Sequence, residues 1–470
     1  MSNTKCRISN KGFFAGKTVL VMGLGRFGGG VDIAKFAANA GAKVVITDLA
    51  SADELSDSIN QLEEFPEIDY HLGSHVAADF EQADIVIANP AVATDNEFLK
   101  IAAQNNKFIT SAINIFFELC PAPIIGITGA NGKSTTAALT THILRSAKQI
   151  TNYQLPITNY EKVWLSGNIG NEPLLALLGE IGLDDLVVLE VSSFQAERLA
   201  QIKKAPKVAV LTNLTPNHLD RHGTFTNYCA AKENIFKLQQ LNESDPAVSI
   251  FNAEDKVGTE WFEKYKKDTG RICIKFSVDD VSEEIRGRFA LPGRANLSNL
   301  AAAIAVARCF GVEDNTIKKC LPEFKPLPHR LELVAEIDGV CWYNDSNATT
   351  PESAISAMEA FRQPKIIIAG GYDKNLSFDE LGRQIARKAK AAILIGQTAD
   401  KIASAIEKCS KNQTQIKFAD SLTEAVELAA DLAEASDVVL LSPGCASYDM
   451  FDNFQHRGRE FTKLVREISG

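Results

Sequence analysis

Lys133 and Ser134 close a glycine-bearing run, Gly129-Ala130-Asn131-Gly132-Lys133-Ser134-Thr135, that follows the apolar stretch Ile124–Thr128. Residues of these types in this order cradle phosphate. Glycines let backbone N–H groups point inward without a Cβ in the way, and the start of the next helix adds positive potential. A lysine there reaches the β- and γ-phosphates of a nucleotide, and a serine hydroxyl ligates Mg²⁺. The strict pattern G-x-x-x-x-G-K-[ST] is not met, because Ile127 stands where its first glycine belongs and the glycines are Gly126 and Gly129. The expectation is a nucleoside triphosphate held by Gly129, Asn131, Gly132, Lys133, Ser134 and Thr135.

A second glycine loop, Gly23-Leu24-Gly25-Arg26-Phe27-Gly28, matches G-x-G-x-x-G, with Asp48 at the end of the next predicted strand. Alone it spells a dinucleotide site, and an NAD-dependent oxidoreductase is one reading. Another diphosphate-bearing ligand can use the same loop, and a second phosphate loop is not an obvious need of an NAD enzyme.

Other candidates each carry a plainer alternative. Glu190 ends an apolar strand where Mg²⁺–nucleotide sites place a carboxylate; a solvated strand end is the bland reading. Asn213–Gly223 gathers His218, Asp220 and Asn217 after a strand, the side on which α/β sheets bind ligands; a structural histidine is the alternative. Arg330, after the proline cluster Lys325–Pro328, can stabilise phosphoryl charge or be a surface arginine. Asp345 suits ribose, metal or a turn. Lys374 in Gly370–Lys374 can meet a carboxylate as a point charge or simply be solvated. Lys232, on a helix, reads by pattern as a surface lysine.

The elements that position these groups alternate strand and helix. Strands are predicted at Thr18–Met22, Lys43–Thr47, Ile85–Ala88, Phe108–Ile109, Ile124–Thr128, Leu186–Glu190, Val208–Leu211, Leu331–Ile337, Val340–Tyr343, Lys365–Ala369, Ala392–Ile395 and Val438–Leu441. Helices are predicted at 34–40, 136–146, 295–310, 353–361 and 425–435. The fold class is α/β with mainly parallel sheets in three domains: Rossmann-like over 1–117, a P-loop ATPase-like sheet over 118–327, and Rossmann-like over 328–470.

Composition narrows the partners. In 470 residues, 49 basic and 59 acidic side chains give a net charge of −10, which argues against nucleic acid or an anionic membrane as partner. No apolar run approaches ~18 residues, and the first dozen residues lack an apolar signal core. Nine cysteines without a C-x-x-C pair fit reduced thiols in the cytoplasm.

Taken in order, the loop Gly129–Thr136, Gly167-Asn168-Ile169-Gly170, Glu190–Gln195, Asn213–Arg221, Pro328-His329-Arg330, Asn344–Thr350 and Ser442–Phe461 resemble the Mur ligase family over nearly the whole chain. Several of these motifs are shared with folylpolyglutamate synthases. The last run looks most like the family member that adds D-glutamate to UDP-N-acetylmuramoyl-L-alanine in peptidoglycan synthesis. The resemblance implies a cytoplasmic, monomeric ATP-dependent ligase working through an acyl phosphate, with ATP and two Mg²⁺ ions. It implies catalytic roles for Lys133, His218, Lys232 and Arg330. ATP would also meet Asn299 and Asp345. Ser134, Glu190, His218 and Lys232, the last as a carbamate, would serve Mg²⁺. Gly25, Arg26, Phe27, Asp48, Asn168, Ser192, Gln195 and His218 would take the UDP-linked substrate, and Thr349, Lys374, Ser447 and Phe454 would take D-glutamate. Asn347 and Ala295 depart from the family, which often has Lys and His there, and neither receives a role.

Overall fold

The computed structural model describes residues 11–26, 28–147, 160–169, 173–374, 376–409 and 414–468, with only the backbone of Lys11 and Asp220. It is α/β throughout, in three domains with one sheet each. By compactness the chain divides into two units. The first runs to Asp280 and includes Asn299–Cys320; the second comprises Val281–Ser298 and the chain from Leu321.

The first unit holds two sheets. β1 (Thr18–Met22), β2 (Lys43–Asp48), β3 (Asp69–Leu72), β4 (Ile85–Ala88) and β5 (Phe108–Thr110) form a parallel sheet in the order 3-2-1-4-5. β6 (Ile124–Thr128), β7 (Val163–Gly167), β8 (Leu186–Glu190), β9 (Val208–Leu211), β10 (Ala247–Asn252) and β11 (Arg271–Phe276) form a second parallel sheet, ordered 11-10-9-6-8-7. Central strands β1, β6, β8 and β9 are almost wholly buried. That is why they read as continuous apolar runs: helices cover both faces of a parallel sheet.

In each sheet the strand order reverses beside one strand, and the crevice there is where doubly wound folds take ligands. In the first sheet it lies between β1 and β4, and each strand leads into a loop at the crevice, Gly23–Gly28 and Asn89–Val92. In the second it lies around β6, flanked by β8 and β9, so the Gly129–Lys133 loop sits between Glu190 and Thr212.

The second unit holds β12 (Glu332–Ile337), β13 (Val340–Asn344), β14 (Lys365–Gly370), β15 (Ala391–Ile395), β16 (Gln415–Ala419) and β17 (Val438–Leu441), ordered 12-13-17-14-15-16. All neighbours pair in parallel except β12 with β13, an antiparallel hairpin carrying a register shift between Leu333 and Ala335. Leu331, expected within β12, is left-handed (φ 43°), and the strand begins one residue later. All five predicted helices start earlier, at Gly29, Lys133, Arg294, Pro351 and Leu422; the first two are capped directly by left-handed glycines, Gly28 and Gly132 (φ 81° each).

Candidate active site: a phosphate loop and the loops that face it

The phosphate loop is held by its neighbours in sequence-distant strands. Asn213 grips it at three points. Its carbonyl accepts the Ala130 N–H (2.8 Å), its Oδ1 accepts the Asn131 N–H (3.0 Å), and its Nδ2 donates to the Asn131 carbonyl (3.0 Å). Thr212 Oγ1 also donates to that carbonyl at 2.6 Å. The glycines are required sterically. A Cβ at Gly129 would lie 2.0 Å from Thr212 Oγ1, and one at Gly132 2.0 Å from Asn299 Oδ1. Asn299, in the Arg294–Cys309 helix, thus closes against the loop and accepts from Thr136 Oγ1 (3.4 Å). Lys133 Nζ donates to the Ala130 carbonyl at 2.9 Å, within the loop it would serve.

Glu190 is 2 % exposed. A buried carboxylate needs partners, because an uncompensated one costs several kcal/mol. Ser134 Oγ donates to its Oε2 at 2.5 Å and Asn168 Nδ2 to its Oε1 at 3.2 Å. Both Ser134 and Glu190 offer hard oxygens, the donors that Mg²⁺ prefers, and Mg²⁺ usually completes its shell with water and substrate phosphate. Among the described residues no group of three or more His, Cys, Asp or Glu converges as a metal site; a Ser–Glu pair topped up by phosphate oxygens would not form one.

Lys232 is where pattern and structure part. It is not a surface lysine. It is 2 % exposed on the Phe225–Lys237 helix, with Nζ 3.3 Å from Thr128 Oγ1 and 4.9 Å from the Tyr228 ring centroid. Burial, reinforced by the nearby Lys133 charge, holds its pKa well below the usual lysine value. An amine so placed favours its neutral, nucleophilic form. Its residue type suggests the surface, but its spacing places it on the buried face of the helix with Tyr228, Ala231, Ile235 and Phe236.

His218 adopts φ 53°, caps the Leu219–His222 turn and packs 5.1 Å from the Phe194 ring. Its exposed ring lies in the loop after β9. His222, not singled out by sequence, is buried, stacked 5.3 Å from Phe194 and within 3.0 Å of Ser193 Oγ. Ser192 and Gln195 form a reciprocal capping box on the Ser193–Ile202 helix, so both polar groups already serve its N-terminus.

At the first glycine loop, Asp48 spends its oxygens on the chain itself, accepting from Gly25 N–H (3.0 Å) and Ala50 N–H (2.9 Å). Arg26 pairs with Glu54 at 2.6 Å, both half-exposed. Phe27 lies outside the described residues, as does Gly170.

In the second unit the loops after β13, β14 and β17 converge. Gly444 N–H donates to Ala348 O (2.9 Å), Tyr372 N–H to Ala446 O (2.9 Å), and Ser346 Oγ to Phe454 O (2.8 Å). Thr349, Ser447 and Phe454 are therefore brought to one end of that sheet, and Lys374 lies 5.9 Å from the Tyr448 ring. Arg457, which sequence reasoning assigned no role, is 1 % exposed and donates to Ser346 Oγ, Ser346 O, Cys445 O and Ala446 O. Asp345 is buried, which pushes its pKa up to about 7 despite hydrogen bonds from Ser442 and the Leu331 N–H. Arg330 Nη2 donates to Asn347 Oδ1 at 2.9 Å, so the departing residue Asn347 is a partner of Arg330. Ala295 stands exposed in the first turn of its helix.

Two parallel crevices with glycine loops, one carrying Lys-Ser opposite a buried glutamate, define a nucleotide-using α/β enzyme. Family models agree along the chain: a MurD-like Mur ligase N-terminal domain matches 17–111, the Mur ligase middle domain 127–289, and the Mur ligase glutamate ligase domain 329–445. The chain belongs to the Mur ligase family. Proteins named UDP-N-acetylmuramoylalanine–D-glutamate ligase from Roseiflexus sp. (strain RS-1) and Thermoanaerobacter sp. (strain X514) are 39% and 38% identical to it. They cover 97% and 96% of the chain, and 99% of each relative is matched. MurF from Acinetobacter baumannii has the same fold, with a TM-score of 0.55 at 16% identity over 98% of this chain and 94% of its own.

Proposed function

We propose that this chain is an ATP-dependent ligase that joins D-glutamate to UDP-N-acetylmuramoyl-L-alanine in peptidoglycan synthesis. The observation that carries the reading is the cluster at the end of β6: Lys133 and Ser134 on the loop, Glu190 at 2.5 Å from Ser134, and Lys232 buried beneath Thr128 with its pKa lowered by burial. High-coverage relatives of that name support it.

In the reaction, an oxygen of the L-alanine carboxylate attacks the γ-phosphorus of ATP, the bond to the ADP oxygen breaks, and an acyl phosphate forms. The D-glutamate amine then attacks the acyl carbon, the carbon–oxygen bond to phosphate breaks, and the amine loses a proton as the amide forms. The protein's task is positioning and charge neutralisation. The loop amides and Lys133 would hold the β- and γ-phosphates, Asn299 the nucleotide, and Ser134 with Glu190 a Mg²⁺ ion that screens phosphate charge. Lys232, as a carbamate formed on its neutral amine, would with His218 hold a second. Arg330 and Asp345 would meet ATP; Gly25, Arg26, Phe27, Asp48, Asn168, Ser192 and Gln195 would line the UDP-linked substrate; Thr349, Lys374, Ser447 and Phe454 would bind D-glutamate. The domain bounds 1–117, 118–327 and 328–470, a monomeric state and a cytoplasmic location complete the reading. No described helix is long and apolar enough to cross a membrane.

The deciding assay is ADP release with UDP-N-acetylmuramoyl-L-alanine and a panel of amino acids. D-glutamate alone is expected to support turnover. Turnover with L-lysine or meso-diaminopimelate in its place would move the chain to another amide ligase. Tight NADH binding without ATP hydrolysis would favour an oxidoreductase instead.

A further inference from the structure

We propose that Asp32 is a positioning residue for the UDP-linked substrate, fixing the first glycine-loop helix to Leu174–Ala176 of the domain that carries the phosphate loop. The proposal rests on the substrate assignment above. Asp32 lies in the first turn of the Gly29–Asn39 helix. Its Oδ2 accepts the N–H groups of Leu174 (2.9 Å) and Leu175 (2.7 Å), and its Oδ1 that of Ala176 (3.1 Å). Those three amides lead into the short helical turn Ala176–Gly179. Such leading donors have no partner within their own helix and are ordinarily capped by a neighbour in sequence. Here a carboxylate 142 to 144 residues away, on the other sheet's domain, takes all three.

From beside that segment hydrogen bonds continue to the phosphate loop. Ser166 Oγ donates to Pro173 O (3.2 Å), the Asn168 N–H to Glu190 O (2.9 Å), Asn168 Nδ2 to Glu190 Oε1, and Ser134 Oγ to Glu190 Oε2. The opposite wall of the β1/β4 crevice is fastened as well. The carbonyl of Val92, in the loop after β4, accepts from Arg198 (2.8 Å) and Arg221 (3.4 Å), and Arg198 is 1 % exposed. Both walls that would hold a diphosphate are therefore tied by charged groups to the domain that would hold ATP. A substrate anchored in one crevice must present its carboxylate at the other, and a displacement of about 1 Å costs roughly 100-fold in such reactions. A simple packing role would need no charge; three converging donors need an acceptor-only group, and an amide there turns its own NH₂ against one of them.

The test compares wild type with Asp32→Asn and Asp32→Glu. Asp32→Asn is expected to lower kcat/KM for the UDP-linked substrate on the order of 10- to 100-fold, with KM for ATP and D-glutamate within about two-fold and a lower Tm from the broken hydrogen bonds. Asp32→Glu, which keeps the carboxylate, should recover part of the loss, and it stands in if the Asn variant does not fold. Unchanged kinetics overturns the proposal. So does an equal loss for all three substrates accompanied by a fall in Tm, which would make Asp32 merely structural. If wild type proves inactive with D-glutamate, the ligase reading fails, while calorimetric affinity for UDP-N-acetylmuramoyl-L-alanine in wild type and Asp32→Asn still decides the role of Asp32: weaker binding in the variant supports it, and equal binding overturns it.

Discussion

The first unit builds the same local device twice, strand–glycine loop–helix, and surrounds each copy with different charge. Both loops use a left-handed glycine, Gly28 or Gly132, to start a helix. The first loop faces carboxylates: Asp48 closes it from β2 and Asp32 sits in the helix's first turn. The second has no acidic residue in its first turn and offers Lys133 and Ser134. Its carboxylate, Glu190, stands across the loop where a cation would bridge it to phosphate. Backbone geometry makes either loop an anion site; the neighbouring side chains separate a loop that grips a ligand from one that can take part in phosphoryl transfer. The steric demands differ too. In the second loop both glycines of the turn are tight, whereas in the first Gly25 and Gly28 are open, Gly23 would bring a Cβ to 2.9 Å from Asn89 Cβ, and the tightest position is Gly30, inside the helix, where a Cβ would meet Leu24 O at 2.2 Å.

That contrast can be broken from its strongest point down. Lys133→Ala should reduce ADP formation by about 10³-fold or more, as loss of a principal phosphate-charge stabiliser does, while the affinity for UDP-N-acetylmuramoyl-L-alanine measured by calorimetry stays within two-fold. An equal loss of both would erase the division of labour. Chelating Mg²⁺ should likewise abolish turnover but leave UDP-substrate binding in place, measured on one enzyme sample before and after adding back the ion.

Lys232→Ala should cost on the order of 100-fold, typical of a lost metal-site partner, and short carboxylates added to the assay should restore part of it. Because burial depresses the Lys232 pKa, its neutral amine predominates above that lowered value. Activity that depends on the carbamate should therefore fall as pH drops through it, and supplemental bicarbonate should raise it; full activity of the alanine variant ends the assignment. Gly30→Ala should destabilise by about 1–3 kcal/mol through overpacking, seen by thermal unfolding, and should weaken the UDP-linked substrate more than ATP. The smallest effect belongs to Arg26→Ala. Its ion pair with Glu54 is half-exposed, so Tm should hardly move, and only KM for the UDP-linked substrate should rise.

Much of this was legible because buried parallel strands are apolar from end to end. β1, β4, β6, β8, β9 and β17 fall where the sequence predicts them, and the glycine loops follow. Strands with polar or half-exposed residues, such as β3 (Asp-Tyr-His-Leu) and β16 (Gln-Ile-Lys-Phe-Ala), carry no such signal. The nucleotide loop was legible in its residues, but the groups that hold it, Thr212 through Asn213, come from a strand end some 80 residues away. Lys232 and Arg457 escape for a different reason. A charged side chain is read as a surface one from its type, although the spacing of Tyr228, Ala231, Ile235 and Phe236 sets Lys232 on the inward face; the contacts that make Arg457 buried come from loops distant in sequence.

Gly129 and Gly132 leave no room for any side chain, since Thr212 Oγ1 and Asn299 Oδ1 already stand where a Cβ would go. Single-base changes in the gene can replace a glycine only with something larger. A small molecule that took its hold from the main-chain N–H groups of this turn, leaving side chains untouched, would thus press on a surface that point mutation can reshape only at the expense of the loop itself, which leaves a growing population few heritable routes to resistance.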